Sequence, residues 1–284
     1  MNRIGFLIFV SVAMLAAAGC GKGTCEMNNP IFDNPAMLTV VFHPRAEEAG
    51  IMEDGRFRNL AIPVEAGVVL GGRFYPAGTN RPTILFFHGN GEIVSDYSDL
   101  ARAYTRIGIN FMPVDYRGYG RSSGNPSITT MLKDAHQVFA VTRTWLKHHG
   151  YTGRYIVMGR SLGSASALEL ASVHTNEIDG LIIESGFADA LALVQRLGWS
   201  PAAGQTVADT LFRHTEKIML YKGPTLIIHG TRDSIIPIAD AETLYKAAGS
   251  TGKKIVRIRD ADHNNLLAVG FDEYFQAVSD VVGK

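Results

Sequence analysis

The segment that most constrains the fold is a Gly-x-Ser-x-Gly motif, from Gly159 to Gly163, which directly follows the apolar run at residues 155–158. A stretch of small residues at 164–171 follows the motif and suits a helix that packs closely on a sheet. A strand that turns into a helix within one residue forces the central residue of the turn into a strained conformation. The motif positions two residues before and after it need glycine, because a Cβ there would clash with the neighbouring chain. The pattern therefore predicts a nucleophile elbow that exposes Ser161 beside the free N–H groups at a helix start.

Short apolar runs alternate with helical segments through the rest of the chain. The predicted strands lie at residues 38–42, 83–87, 109–114, 155–158, 180–184, 224–229 and 254–258, with a hairpin region at 64–75. Runs that are apolar on both faces and separated by helices are typical of parallel strands. We therefore expect a doubly wound, mostly parallel α/β sheet in one domain, residues 37–284, with a small helical cap at about 187–221.

Two further polar residues follow the last two predicted strands. Asp233 comes after the strand that starts at residue 224, and His263 comes after the strand at 254–258. Because the carboxyl ends of parallel strands meet at one edge of a sheet, both are expected near Ser161. The chain order of nucleophile, acid and base predicts a Ser161, Asp233 and His263 triad. Glu184 and Asp262 are the alternative acids.

A glycine-rich loop follows the strand at 83–87 and reads His88-Gly89-Asn90-Gly91. Such a loop can aim a backbone N–H at the nucleophile, so Asn90 and Leu162 are the predicted oxyanion donors. The alternative is a tight strand-to-helix turn without a catalytic role. The glycines in residues 115–124 lack the spacing and the helix of a dinucleotide-binding fingerprint, which argues against such a cofactor.

On these motifs, residues 63–282 resemble the α/β-hydrolase superfamily, in its small-cap serine hydrolase branch of esterases and depalmitoylase-like proteins. The resemblance implies the α/β-hydrolase fold, with Ser161, Asp233 and His263 as catalytic residues. It also implies cleavage of carboxylic ester or thioester bonds through an acyl-enzyme on Ser161, without a cofactor or a metal. A serine peptidase of the same fold and a non-catalytic lipoprotein binding module are the alternatives.

The N-terminus has the pattern of a targeting segment. A basic start is followed by an apolar stretch at residues 4–18, shorter than the roughly 20 residues that span a bilayer. Residues 17–20 resemble a bacterial lipobox, so we expect a signal peptide at 1–19, lipidation of Cys20 and a tether at 20–36. This predicts an envelope protein on a lipid anchor, facing the periplasm or the exterior. An ordinary secretory peptide is the alternative, and it would leave Cys20 free to pair with Cys25.

The balance of charge limits the classes of partner that the protein is expected to bind. Lys plus Arg and Asp plus Glu both number 27, so the chain lacks the basic excess expected of a nucleic-acid-binding protein. We expect a small-molecule or lipidic acyl substrate. The sequence offers five candidates for an apolar acyl pocket within the cap, namely Leu191, Leu193, Val194, Leu197 and Trp199.

Overall fold

The computed structural model describes residues 33–48, 55–201 and 212–283. The predicted signal peptide, Cys20, Cys25 and most of the predicted tether lie outside the described residues. Among the residues that are described, no helix is long and apolar enough to cross a membrane.

One sheet of eight strands forms the centre of the described part. The strands are β1 (Arg58–Glu65), β2 (Val68–Phe74), β3 (Thr83–Phe87), β4 (Asn110–Val114), β5 (Tyr155–Arg160), β6 (Gly180–Glu184), β7 (Thr225–Gly230) and β8 (Lys253–Ile258). Their spatial order is β1-β2-β4-β3-β5-β6-β7-β8. β1 and β2 form an antiparallel hairpin, and β3 to β8 run parallel to one another. The predicted doubly wound, mostly parallel sheet is confirmed.

Helices cover both faces of this sheet. They are α1 (Pro35–Val41), α2 (Ser98–Arg106), α3 (Ile128–His148), α4 (Gly163–Val173), α5 (Ala190–Arg196), α6 (His214–Leu220), α7 (Ile238–Ala247) and α8 (Leu266–Val282). Along β5 the side chains alternate between two apolar clusters, since Ile156 packs with α2 and α8 while Val157 packs with α3, α4 and α7. Both faces of the central strands are therefore buried, and the polar residues lie at the strand ends.

The segment at 38–42 was predicted as a strand, and this prediction is wrong. It belongs to α1, in which the Asn34 side chain caps the first turn and Pro35 occupies the first helical position. Met37 and Val41, four residues apart, bury one face of the helix. The β-branched residues favour a strand only weakly, and burial of this helical face outweighs that preference.

The predicted cap region at 187–221 contains two helices with different surroundings. α5 buries Ala190, Leu193 and Val194 near the carboxyl edge of the sheet. α6 instead packs against α4 and α7, as part of the layer that covers one face. Of these two helices, α5 lines a cavity together with Ser161 and α6 does not.

Candidate active site

The turn between β5 and α4 has the geometry of a nucleophile elbow. Ser161 lies in the left-handed region with φ of +51°, a conformation that costs a non-glycine residue free energy. A Cβ at position 159 would lie 2.2 Å from the carbonyl oxygen of Gly163, and a Cβ at position 163 would lie 2.1 Å from that of Phe87. Only glycine fits at both positions, and the tight packing holds the strained Ser161 in place.

The structure brings the three predicted triad residues into one series of hydrogen bonds. The Ser161 hydroxyl donates to Nε2 of His263 at 2.9 Å, and the Nδ1–H of His263 donates to Asp233 Oδ2 at 2.6 Å. The residues lie on the loops that follow β5, β7 and β8 at the carboxyl edge of the sheet. The side chains of His263 and Asp233 are 7% and 0% exposed. This arrangement can remove a proton from a serine hydroxyl.

Three N–H groups donate to the carboxylate of Asp233, and the imidazole of His229 lies beside it. Its Oδ1 accepts the backbone N–H groups of Ile235 at 3.0 Å and Ile236 at 2.8 Å. Its Oδ2 lies 3.2 Å from Nε2 of His229 in addition to its bond from His263. Burial raises the pKa of this carboxyl, but the N–H groups of His229 and His263 lower it by more than burial raises it. The pKa of Asp233 therefore lies below its usual range. Asp233 is therefore ionised at neutral pH and orients the imidazole of His263.

The alternative acids point elsewhere. Glu184 forms an ion pair with Arg160 at 3.1 Å and accepts a hydrogen bond from the Tyr274 hydroxyl at 2.6 Å. Burial raises the pKa of the Glu184 carboxyl. Asp262 accepts the backbone N–H groups of the two residues that follow His263, at 2.8 and 3.1 Å. Neither carboxylate forms a hydrogen bond with the imidazole in the described part of the chain.

Arg160, between Gly159 and Ser161, was not singled out from the sequence as a site residue. Its Nη2 donates to the backbone carbonyl of His263 at 2.9 Å and to Asn264 Oδ1 at 3.0 Å. Its Nη1 pairs with Glu92 in the loop after β3. Arg160 thus joins the loops around the triad. An arginine that ends a strand buried along its whole length could have signalled this role.

The two predicted oxyanion donors face the same cavity as Ser161. Among the described residues, neither the backbone N–H of Leu162 nor that of Asn90 donates to another protein group. The Asn90 side chain does not compete for the site, because its Nδ2–H donates to Nδ1 of His43 at 2.7 Å and its Oδ1 accepts the Tyr119 hydroxyl at 2.8 Å. Within the described residues, no hydrogen bond therefore competes with the predicted role of either backbone N–H.

A cavity of about 250 Å³ opens beside Ser161 and is walled mostly by apolar side chains. The walls include Met37, Val41, Ile128, Phe187, Phe212 and Ile235. Three of the five predicted pocket residues, Leu193, Val194 and Leu197, also line it. Leu191 and Trp199 pack against the apolar core instead. The cavity has room for a small acyl group rather than a single water molecule.

Comparison with solved structures identifies the fold. The esterase Pf2001 of Pyrococcus furiosus aligns with a TM-score of 0.67 at 19% identity, over 84% of this chain and 98% of that one. Est1E from Butyrivibrio proteoclasticus aligns with a TM-score of 0.59 at 18% identity, over 80% of this chain and 99% of that one. The family described as serine aminopeptidase, S33, matches residues 78–197. The fold is that of the α/β-hydrolase superfamily.

Sequence relatives agree with this assignment. Protein bem46 of Schizosaccharomyces pombe is 27% identical over 72% of this α/β-hydrolase and 68% of its own length. The alpha/beta hydrolase domain-containing protein 17C of Xenopus tropicalis is 31% identical over 71% of this chain. The match spans 63% of the length of that Xenopus protein. The predicted superfamily is thus confirmed, and the chain is a hydrolase by family.

Proposed function

We propose that this protein is a serine hydrolase that cleaves carboxylic ester or thioester bonds of acyl substrates through an acyl-enzyme on Ser161. The observation that carries the proposal is the unbroken series of hydrogen bonds from Asp233 through His263 to Ser161, ending beside an apolar cavity. A serine hydroxyl is a poor nucleophile at neutral pH, so catalysis needs a base within hydrogen-bonding reach.

The geometry supports a two-step mechanism. His263 Nε2 takes the Ser161 proton as Oγ attacks the acyl carbonyl, and Asp233 stabilises the imidazolium. The backbone N–H groups of Leu162 and Asn90 bind the oxyanion, and each such donor is typically worth about 100- to 1,000-fold in turnover. Collapse of the tetrahedral intermediate breaks the bond to the alcohol or thiol, which takes the proton from His263. Water, deprotonated by His263, then attacks the acyl-serine. The bond from the acyl carbon to Ser161 Oγ breaks, Oγ takes the proton from His263, and the acid is released.

The apolar walls of the cavity favour an acyl group over a charged substrate, because an unpaired charge is costly to bury there. The solved neighbours include Est1E with ferulic acid bound and a monoacylglycerol lipase from Paleococcus ferrophilus. A carboxylic acid is a product of ester hydrolysis and a monoacylglycerol is an ester, so both neighbours agree with the class proposed here.

A serine aminopeptidase is the second candidate, because the matched family carries that description. An aminopeptidase has to bind a free amino terminus, for which a carboxylate is the natural partner. Among the described residues that line the cavity, Glu92 is the one carboxylate. It is already paired with Arg160, and it accepts the backbone N–H of Gly89. The cavity therefore favours acyl esters over peptides.

A fluorophosphonate probe tests the nucleophile. The wild-type protein should be labelled, and Ser161→Ala should not. Ser164→Ala is the matched control, since this buried hydroxyl lies one helical turn away and has no hydrogen-bond partner among the described residues. Labelling of Ser161→Ala at the wild-type rate would rule out Ser161 as the nucleophile.

A substrate panel then separates the two candidates. Acetyl, butyryl and octanoyl esters, the matching thioesters and aminoacyl anilides are compared at equal concentration by kcat/KM. We expect the esters or thioesters to react fastest, and Ser161→Ala to abolish their hydrolysis. Faster turnover of the anilides would instead support the aminopeptidase.

We also propose that Cys20 carries a lipid anchor and that the catalytic domain faces the periplasm or exterior of a bacterial envelope. The support is the sequence of residues 1–20, with its basic start, apolar stretch and terminal cysteine. Growth with an alkyne fatty acid should label the wild-type protein and Cys25→Ser but not Cys20→Ser. Labelling of Cys20→Ser would contradict the anchor.

A further inference from the structure

Helix α1 contributes to the active-site cavity although it precedes the family match, which begins at residue 78. Met37 and Val41 line the cavity together with Ser161 and His263. They lie one helical turn apart on one face of α1 and are 1% and 6% exposed. This helix is therefore part of the cavity wall.

The position of α1 is fixed at both ends. Just before its start, Asp33 Oδ1 accepts the backbone N–H of Thr129 in α3 at 3.2 Å. Just after its end, the backbone N–H of His43 donates to Asn90 Oδ1 at 2.9 Å and lies 2.8 Å from the Tyr119 hydroxyl oxygen. Two residues later, Arg45 Nε donates to the carbonyl of Gly91 at 2.8 Å. The helix is thus bonded to the loop that carries the proposed oxyanion donor.

A neighbouring part of the wall comes from α5, which contacts α1 directly. Ala190, Leu193 and Val194 of α5 line the same cavity as Met37 and Val41. These five side chains carry no polar side-chain group, so an aliphatic chain between them would be removed from water without leaving a polar group unpaired. We refer to the part of the cavity that these five side chains line as the slot.

We propose that α1 sets the acyl-chain selectivity of this hydrolase, with Met37 and Val41 limiting how much of an aliphatic acyl chain fits against α5. The inference rests on the function proposed above. Burial of one methylene is worth about fourfold in binding, so each carbon that fits the slot should raise kcat/KM by about that factor. Chains longer than the slot should gain nothing more.

The test measures kcat/KM for p-nitrophenyl esters from acetyl to dodecanoyl. Met37→Phe narrows the slot and should lower kcat/KM for octanoyl and longer esters by about tenfold relative to kcat/KM for the acetyl ester. Val41→Ala widens the slot and should move the optimum to longer chains. Val40→Ala is the matched control, because it removes the same atoms from the neighbouring, half-buried position of α1.

Each outcome of this test decides something. If Met37→Phe fails to fold, Val41→Ala alone decides, and its folding is checked by its melting temperature. If the acetyl ester is hydrolysed but Val41→Ala leaves the chain-length profile unchanged, the proposed role of α1 is overturned. The proposed function stays intact in that case. A shift of equal size in Val40→Ala also overturns it, because the effect would then not come from the cavity wall. A wild-type protein that hydrolyses none of the esters contradicts the proposed function and this inference with it.

Discussion

The guanidinium of Arg160 donates a hydrogen bond to the backbone carbonyl of His263 at 2.9 Å, although 103 positions separate the two residues. Arg160 precedes the nucleophile, so one side chain links the elbow to the loop that carries the base. The same guanidinium is paired with Glu92 and Glu184. Burial lowers the pKa of Arg160, but these carboxylates outweigh burial and raise it above its usual range. Arg160 therefore keeps its positive charge at neutral pH.

Arg160→Lys tests this link while it keeps the positive charge. A lysine ammonium cannot reach the carbonyl and both carboxylates with the forked geometry of a guanidinium. We expect kcat for a short ester to fall by about 10- to 100-fold, because a misplacement of about 1 Å at a reacting group can cost that much, with KM within about twofold. Arg143→Lys is the control, because its pair with Glu177 is exposed. A KM rise with unchanged kcat would contradict a role in positioning His263.

Asp233→Asn tests the acid of the triad. An amide in this place favours the wrong tautomer of His263, and in a serine protease the same change lowers kcat by about 10⁴-fold. We expect a loss of that order in ester hydrolysis. Asp262→Asn keeps the oxygen that accepts the backbone N–H groups, so its kcat should stay within about threefold of wild type. A larger loss in Asp262→Asn than in Asp233→Asn would reverse the assignment of the acid.

The strands and the elbow could be predicted because their signals are local. The runs at 83–87 and 180–184 coincide with β3 and β6, since strands buried on both faces need continuous apolar residues. Gly159 and Gly163 mark the elbow because the close approach of neighbouring backbone excludes a Cβ there. The order in which Ser161, Asp233 and His263 occur predicted which residues would meet.

What the sequence did not predict depends on distant partners. Residues 38–42 have the β-branched pattern of a strand. The segment is nevertheless part of helix α1, because the helix buries one face at the cavity wall. The contacts of Arg160 join the loops after β3 and β8 to the end of β6. Local hydrophobic periodicity does not predict such contacts, because the partners are far apart in sequence.

Gly163→Ala tests the close packing at the elbow. The new Cβ would lie 2.1 Å from the carbonyl oxygen of Phe87, which is backbone and has little room to move. Forced overpacking of this kind costs about 1 to 3 kcal/mol or more of unfolding free energy. Gly252→Ala is the control, because its nearest neighbour would lie 3.9 Å away. Urea unfolding should show a clear loss for Gly163→Ala alone, and equal midpoints would contradict the packing.

We expect the buried imidazole of His214 to make the folded protein less stable in acid. Its side chain is buried beside the cavity residues Phe187 and Phe212, and its Nδ1–H donates to the carbonyl of Phe187 at 2.7 Å. Burial, with a smaller effect from the charge of Lys217, lowers the pKa of His214 to about 3. In the unfolded chain the same imidazole takes up a proton near pH 6.5. Between these values the unfolded state binds more protons than the folded state.

The unfolding free energy should therefore be unaffected by His214 above about pH 6.5 and should fall below it, by up to about 1.4 kcal/mol per pH unit. His214→Asn keeps an amide donor for the Phe187 carbonyl but has no group that titrates in this range. We expect the variant to be less stable at pH 7, because it leaves a cavity, and to lose stability less steeply from pH 6.5 to pH 4. His148→Asn, at an exposed position, should keep the wild-type slope. Urea unfolding at each pH measures these slopes, and equal slopes for wild type and His214→Asn would show that His214 is not the group responsible.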